Sequence, residues 1–309
     1  MGLLSEQDLI QISQTLYESK ASELYARTIL KVNTNYSPFA ETIGYTWYNR
    51  KGAAKLLASG ASAKDVPFVS EDGGRHQMRV FDATAGIRYS RKELEASKMV
   101  STQTNVPSVK IDMIRPMIAR RAIAEIENQL VFNGDPDYKI FGILNHPNIN
   151  VEDVAQGAVG ANPVAKRLWT NKTAKEKLKD LLTAKSKSRN KGLFQPDTLC
   201  LPPDQFDMLD EPFADNTETT LRTWLTSKGM NFPKIYSVRE LEAANNSYGV
   251  DCILMLDSNP EHIEIAVTKE LGMTEPVVDI VGNEELVAYQ SLAGAVIRQP
   301  TMIYVGRGI

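Results

Sequence analysis

The sequence predicts an α+β chain in which one long helix and several buried strands make the core while a long polar excursion leaves it. Three observations carry that expectation. Ile111, Ile114, Ile118, Ala122, Ile126 and Leu130 recur at three- and four-residue spacing, the period of one helix face. Short apolar runs at 198–201, 253–256 and 263–267, and a longer segment across 287–308, have the length and composition of buried strands. Between 41 and 92, strand-forming residues flank KGAAKLLASGASAKDVPFVSEDGGRHQ, which is rich in Ala, Ser, Gly and charge. A loop of that length is uncommon in a compact domain unless it has a task.

At the N-terminal end, Ser5-Glu6-Gln7-Asp8 is a loose capping box. Leu9, Ile12 and Leu16 follow it at helical spacing. This short amphipathic helix would open a mostly polar arm over 1–40, which reads equally as a fraying terminus or as an arm that docks on a neighbouring subunit. Tyr45, Trp47 and Tyr48 then predict one strand, and Met78, Val80, Phe81, Ile87 and Tyr89 a second across the excursion. A two-stranded tongue is marginal by itself, so it needs an outside surface to lie on.

Ser90-Arg91-Lys92-Glu93 is a cleaner capping box and starts a helix over KELEASK. The long helix is expected over 108–132, about 37 Å at 1.5 Å per residue. Pro116 complicates it. Inside a helix a proline removes one hydrogen bond and clashes with the preceding turn, so the helix should either bend there or start there. Asn133-Gly134 stops it.

Lys and Arg dominate 166–191, where Glu176 and Asp180 are the only acids. With Leu178, Leu181 and Leu182 as its apolar stripe, this reads as a basic amphipathic helix. Two acidic stretches answer it, at 204–218 and 257–285. A further helix is expected over 219–227. At the C-terminal end VAYQSLAGAVIRQPTMIYVGRG reads as long buried strands, with Pro300 at a strand start, edge or bulge.

Composition narrows the function classes. A chain of 309 residues fills one elaborate domain or two lobes and buries roughly 75% of its unfolded surface, so it needs no staples. The net charge of −3 gives no global reason to expect nucleic acid or a membrane as partner. Cys200 and Cys252 stand in unrelated contexts and make no disulfide framework, which fits a reducing compartment. The N-terminus carries no signal-peptide pattern, Glu6 stands where a myristoylation signal needs Ser or Thr, and no apolar run is long enough to span a membrane.

No catalytic constellation stands out. His76, His146 and His262 have no Cys or second His at ligand spacing. Glu261-His262-Ile263-Glu264 reads as an exposed loop. There is no phosphate-binding glycine loop, nucleophile elbow or kinase signature, and the glycines at 157 and 160 are too closely spaced for one. The expectation is a protein without catalytic residues, cofactor or metal. The basic helix could neutralise phosphates, but base stacking wants interleaved aromatics and only Trp169 is near. Arg120 and Arg121 need mean no more than the polar face of their helix.

The order of these parts resembles the major capsid protein of tailed phages, the Hong Kong 97-type fold. The resemblance rests on the polar arm, the two-stranded loop, the turn IRYSRKELEAS before a long helix, Asn133-Gly134-Asp135, and Gly142-Ile143-Leu144-Asn145. It continues through TAKEKLKDLLTAKSK, DTLCLPPDQFDML, the run 287–297 and Arg298-Gln299-Pro300-Thr301-Met302-Ile303, and covers most of the chain. It implies an N-terminal arm over 1–40 and an extended loop with its stem over 41–92. A peripheral domain with the spine helix would take 93–150 and 276–309, and an axial domain 151–275.

The implied function is self-assembly, as hexamers and pentamers, into the icosahedral head shell of a double-stranded DNA phage. The virion would be put together in a host cytoplasm. Contact residues on this reading are Leu9, Ile12 and Leu16 of the arm. Arg50, Lys51, Lys55, Lys64, Asp65, Glu71, Asp72 and Arg75 would serve on the loop, and Lys175, Lys179, Asp210, Glu211 and Asp215 on the axial domain. Opposite charge stretches would pair between subunits. The partners are further copies of the chain, a portal protein and packaged DNA held non-specifically. With only a short arm ahead of the loop, a separate scaffolding protein is expected. Lys51, Lys55 and Lys64 lie in the loop, but no motif marks a partner and cross-linking is not predicted. The alternative is an encapsulin, a cellular shell of the same fold that packages a cargo enzyme, for which Leu9, Ile12 and Leu16 would offer the cargo surface.

Overall fold

The structure, a computed structural model, describes residues 23–52, 54–55, 68–100, 111–213, 219–227, 232 and 234–309. The helix expected over Leu9, Ile12 and Leu16, and the start of the long helix at 108–110, lie outside them. A helical turn α1 (Ala26–Ile29) and a short strand β1 (Val32–Asn33) come first. Strands β2 (Thr42–Lys51), β3 (Ser70–Arg79) and β4 (Phe81–Tyr89) follow, then helices α2 (Arg91–Val100) and α3 (Ile111–Phe132). Strand β5 (Asn150–Asp153) leads to helix α4 (Ala174–Ser188), β6 (Thr198–Leu201), α5 (Pro203–Asp207) and α6 (Leu221–Ser227). The chain ends with β7 (Lys234–Ser237), β8 (Cys252–Leu256), β9 (Ile263–Met273), β10 (Val277–Val278), β11 (Glu284–Ile297) and β12 (Tyr304–Arg307).

Among the described residues, contacts gather 84–125 with 271–290 in one compact unit, and 25–83, 126–270 and 291–309 in another. One five-stranded sheet has the order β1-β9-β11-β10, with β4 paired to β11. A second, in the order β5-β12-β8-β6-β7, lies wholly in the larger unit. Its centre is β8, whose five residues Cys-Ile-Leu-Met-Leu are all fully buried. A strand covered on both faces reads as a continuous apolar run, which is why 253–256 was legible. The last strand, β12, lies beside it in antiparallel register, Val305 opposite Leu254.

Helix α4 packs Leu178, Leu181 and Ala184 into the same core as Leu199, Leu201, Ile253 and Met255. It starts on a capping box in which the Glu176 carboxylate accepts the Thr173 N–H at 2.9 Å. Leu182, expected on the apolar stripe, is exposed at 45%. The buried face runs through Leu178, Leu181, Ala184 and Ser188, and at 100° per residue Leu182 falls on the far side of Leu178 from it.

Helix α3 is continuous from Ile111 through Pro116 to Phe132. It therefore does not start at the proline. The hydrogen bond lost at Pro116 is the one to the Asp112 carbonyl, close to the helix's first turn. The face this helix buries differs from the expected stripe. Ala119, Ile123, Glu127, Asn128 and Val131 are inside, while Ile118 and Ile126 are exposed at 59% and 42%. Two polar residues tolerate burial because partners distant in sequence satisfy them. Glu127 accepts Arg27 in a two-pronged ion pair at 2.6 and 2.8 Å. Asn128 accepts the Ala26 N–H at 3.0 Å and donates to Glu240.

Three further expectations are corrected. The second strand of the excursion is two strands, β3 in the hairpin and β4 in the five-stranded sheet, separated at Val80. Pro300 opens a 3-10 turn, Pro300–Met302, between β11 and β12 and does not enter a strand. Its fixed φ and missing N–H suit a first helical position. The stretch around His262 is not an exposed loop: Ile263 and Glu264 begin β9 and are buried. Glu264 sits inside because Arg298, Asn33 and Tyr36 all donate to it.

Candidate inter-subunit surface

The hairpin β2–β3 pairs ten residues in one unbroken antiparallel register, from Thr42 opposite Arg79 to Lys51 opposite Ser70. Residues 70–77, expected as part of the loop, therefore belong to the strand. Their polarity follows from having solvent on both faces, and a strand with no buried face shows no alternation. Gly73 and Gly74 lie opposite Tyr48 and Trp47. A Cβ at Gly74 would come within 3.1 Å of the Trp47 ring, and one at Gly73 within 2.7 Å of the Trp47 carbonyl oxygen, so both glycines make room for Trp47.

The base of the hairpin is anchored. Ile43 is buried with Ala266, Ala293 and Val296, and Tyr36, Tyr45, Met78 and Val80 pack around them. The Tyr45 hydroxyl donates to the Ile297 carbonyl at 3.0 Å, and its ring stacks on His76 at 5.5 Å. Burial raises the Tyr45 hydroxyl above its ordinary pKa. Away from the base, the described apolar residues are exposed. Trp47, Tyr48, Phe68 and Val69 are exposed at 43%, 63%, 87% and 76%.

Beside the base lies a cavity of about 440 Å³ between the hairpin, the chain after α3 and β11. The chain after α3 is fixed by the two glycines of the resemblance. Gly134 has φ +66°, the left-handed conformation that stops a helix. The Ile143 and Leu144 N–H groups then donate to the Val131 and Phe132 carbonyls at 2.9 and 2.8 Å, satisfying the open end of the helix. A Cβ at Gly142 would sit 2.5 Å from the Phe132 carbonyl oxygen, so only glycine fits this return. Tyr138, Phe141 and His146 are held at the cavity by this turn. Burial, and secondarily His76, lowers the His146 pKa.

The charged candidates fall into three groups. Arg50 and Lys51 stand on β2 in register with Glu71 and Ser70, and Asp72 and Arg75 continue along β3. Lys55, Glu71, Asp72 and Arg75 are exposed. Lys175 and Lys179 are exposed on α4. Asp210 and Glu211 are already engaged within the chain, with Arg222 at 2.7 Å and Lys177 at 2.6 Å. Leu9, Ile12, Leu16, Lys64, Asp65 and Asp215 lie outside the described residues.

Much of the basic helix is neutralised from within. Lys172 and Asp180 form a buried pair at 2.6 Å, with the Trp169 indole N–H also on Asp180 at 3.2 Å. Lys187 reaches Glu152 at 2.7 Å. Trp169 is fully buried and offers no stacking face. Among the described residues no cluster of three or more His, Cys, Asp or Glu could hold a metal ion, and no helix is long and apolar enough to cross a membrane. Cys200 and Cys252 are buried, and burial pushes the Cys252 thiol up to about 12, so it is a poor nucleophile.

Sequence reading missed the apolar contact candidates. Phe68 and Val69 sit in VPFVS, an apolar island in the polar excursion, and Tyr138 and Phe141 follow the helix stop. Val277, Val278, Ile280 and Val281 are exposed near β10. The island inside the excursion was the available signal.

Comparison with known proteins bears on what such a surface serves. A family model described as major capsid protein matches residues 52–309. No curated protein matches the sequence. Among solved structures, the capsid of Myoviridae phage XM1 superposes with a TM-score of 0.80 at 13% identity, covering 100% of this chain and 99% of that one. The capsid of a native GTA particle gives 0.68 at 14% identity, with 99% of each chain covered. A virus-like particle from Pyrococcus furiosus gives 0.54 at 13% identity, covering 93% of this chain and 92% of that one. At such identities the likeness is one of fold, and it is the α+β, Hong Kong 97-type fold that the order of parts implied.

Proposed function

The chain belongs to the major capsid protein family, and from that premise we propose how it builds its shell. It is a structural subunit that assembles with copies of itself into the head of a tailed phage, and its place is the virion. Pentamers and hexamers are the units of that assembly. The sheet β5-β12-β8-β6-β7 with α4 is the axial domain, meeting its copies around each capsomer axis. The hairpin lies over a neighbour. A scaffolding protein, a portal protein and packaged double-stranded DNA are the other partners, and the role is non-enzymatic.

The observation that carries this reading is the hairpin. Ten residue pairs keep perfect register, and Trp47 and Tyr48 on β2 are exposed. An isolated two-stranded ribbon is marginally stable in water, so a neighbouring surface would complete it. Exposed ion pairs give only about 0–1 kcal/mol each. Weak contacts repeated by closed symmetry still make a stable shell and let wrong ones dissolve.

Electron microscopy of the purified chain across a concentration series, with and without its scaffolding partner, tests this. Closed shells of uniform diameter are expected. A strictly monomeric protein at every concentration would sink the reading. Encapsulin remains the competing reading of the same fold. Shells that carry a packaged enzyme in place of DNA would decide for it, whereas the better superposition here is on a phage capsid.

A further inference from the structure

We propose that the cavity between β11 and the turn after α3 is a binding site for a small planar aromatic anion, one per subunit. Every residue it uses belongs to one chain, so it stands apart from the shell reading.

The space exists because β11 carries small side chains there. Ala293, Ala295 and Ile297, alternate residues of the strand, all line the cavity and are buried. Two of the three are bare methyl groups where a branched side chain would fill the gap. The volume of about 440 Å³ lies within the usual range of a small-molecule site. The walls are aromatic, and the rings come in pairs. Tyr45 stacks on His76 at 5.5 Å, Phe81 tilts against Tyr138 at 5.1 Å, and Phe141 meets His146 edge-on at 5.6 Å. All six rings line the cavity. Rings that already hold one another lose little freedom when a ligand enters. A flat ring gains stacked or edge contacts from such walls that an aliphatic chain does not. Tyr138 and Phe141, 61% and 40% exposed, keep the mouth open to solvent.

The polar groups converge on negative charge. Arg79 and Lys139 line the cavity with a single acid, Asp137. Among the described residues neither cation enters an ion pair. His146 adds a neutral donor. Its Nδ1 accepts the Asn148 N–H at 3.3 Å, which leaves the ring proton on Nε2. Burial lowers its pKa, so the ring stays neutral at pH 7. Lys139 is set by its turn. The Asp135 and Ile140 N–H groups each donate to the other's carbonyl, at 2.9 and 2.8 Å, and within the turn they close Lys139 stands at φ +57°. Glycine adopts that conformation freely, whereas a residue with a Cβ pays for it. Backbone strain of this kind gathers at ligand sites, and here it carries a cation to the cavity. An inorganic anion would leave the ring walls unused, and a neutral ring would leave the two cations unused. A ring bearing a carboxylate, sulfonate or phosphate uses both.

The probes are anilinonaphthalene sulfonate and its neutral counterpart phenylnaphthylamine, which share their rings and differ in the sulfonate. Fluorescence titration of the full chain should give one saturable site per subunit, with the sulfonate bound about tenfold more tightly than the amine. Arg79→Gln and Lys139→Gly should each weaken the sulfonate several-fold and leave the amine unchanged. Lys139→Gly also relieves the strained φ, so it should do this without lowering the melting temperature, which a merely structural role would not allow. Ala295→Leu fills the cavity and should remove both dyes. Should that variant fail to fold, the two charge variants decide. Equal affinity for the two dyes, or sulfonate binding unchanged in both charge variants, would overturn the proposal. Undiminished binding by a folded Ala295→Leu chain would place the dyes on other apolar surface and overturn it as well. Shells that bind no dye, although free subunits bind one, would mean that a neighbouring copy fills the cavity, and no ligand site would remain in the particle. Failure of the chain to assemble would touch only the shell reading.

Discussion

The sheet around β8 and the hairpin β2–β3 are both regular, yet they owe their order to different things. In the sheet, all five residues of β8 are fully buried, and α4, Trp169 and Phe232 close over it. Each side chain there finds its partners within the chain. In the hairpin, the ladder satisfies the backbone, and its base rests on Ile43 and Tyr45, but most of β3 faces water. The hairpin holds its shape without a core of its own and leaves apolar side chains over for something else. The stability of the folded subunit should therefore reside in the sheet, and the energy of assembly in the hairpin.

The largest break in that division should come from the buried ion pair beneath α4. Lys172 and Asp180 are nearly inaccessible, and Lys172 also donates to the Ala155 carbonyl at 2.6 Å. Burial pushes the Asp180 carboxyl up despite its contacts with Lys172 and Trp169. Lys172→Ala strands a buried carboxylate, which typically costs about 3–5 kcal/mol. Replacing both partners, Lys172→Met with Asp180→Leu, should recover most of that loss, because no charge is then left to desolvate. Denaturant unfolding of unassembled subunits measures both. A loss under about 1 kcal/mol for Lys172→Ala would show that water reaches the pair and that this core is less closed than its burial implies.

A matched pair of truncations sharpens the comparison directly. Ile253→Ala in β8 removes a fully buried branched side chain and should cost about 2–5 kcal/mol through lost transfer energy and the cavity left behind. Tyr48→Ala in the hairpin, at a site 63% exposed, should change subunit stability by less than about 0.5 kcal/mol. The order should reverse in assembly, with shells from the Tyr48 variant dissociating at lower denaturant than wild-type shells. Equal effects of the two substitutions on the unassembled subunit would erase the distinction between the regions.

The same contrast explains what could be read from the amino acids alone. Strands β6 and β8 were legible because burial on both faces leaves an apolar run. The helix stop at Asn133-Gly134 and the capping box at Ser90 were legible because their hydrogen bonds span three or four residues. The buried face of α3 was not, because Glu127 and Asn128 are inside only through Arg27 and Glu240, each about a hundred positions away. Hydrophobic period therefore pointed to Ile118 and Ile126, which stay exposed on the subunit. Strand β3 was not legible either, since a ribbon wet on both sides carries no alternation. The exposed Phe68 and Val69 escaped notice for the same reason, since no alternation singles them out.

One contact lies between the two extremes, exposed like the hairpin but closed on itself like the sheet. Glu93 accepts the Ser90 N–H at 3.0 Å and is gripped by Arg115 at 2.8 Å, while the Arg115 guanidinium also lies over the Tyr89 ring. Arg115 first, then the Ser90 N–H, holds the Glu93 carboxyl down at about 2. An unfolded glutamate titrates near 4.3, roughly two units higher. The folded value is the lower one, so the carboxylate stabilises the fold above about pH 4.3, and this contribution is lost as pH falls towards 2. Solvent screening keeps the effect the smallest of the three. Melting temperatures of wild type and Glu93→Gln should differ by a constant amount from neutral pH down to about 5, then converge by about pH 2. A difference that persists unchanged at pH 2 would mean that the hydrogen-bonded cap matters and the charge does not. The lock at the start of α2 would then belong with the sheet, since it would depend on fit and not on charge.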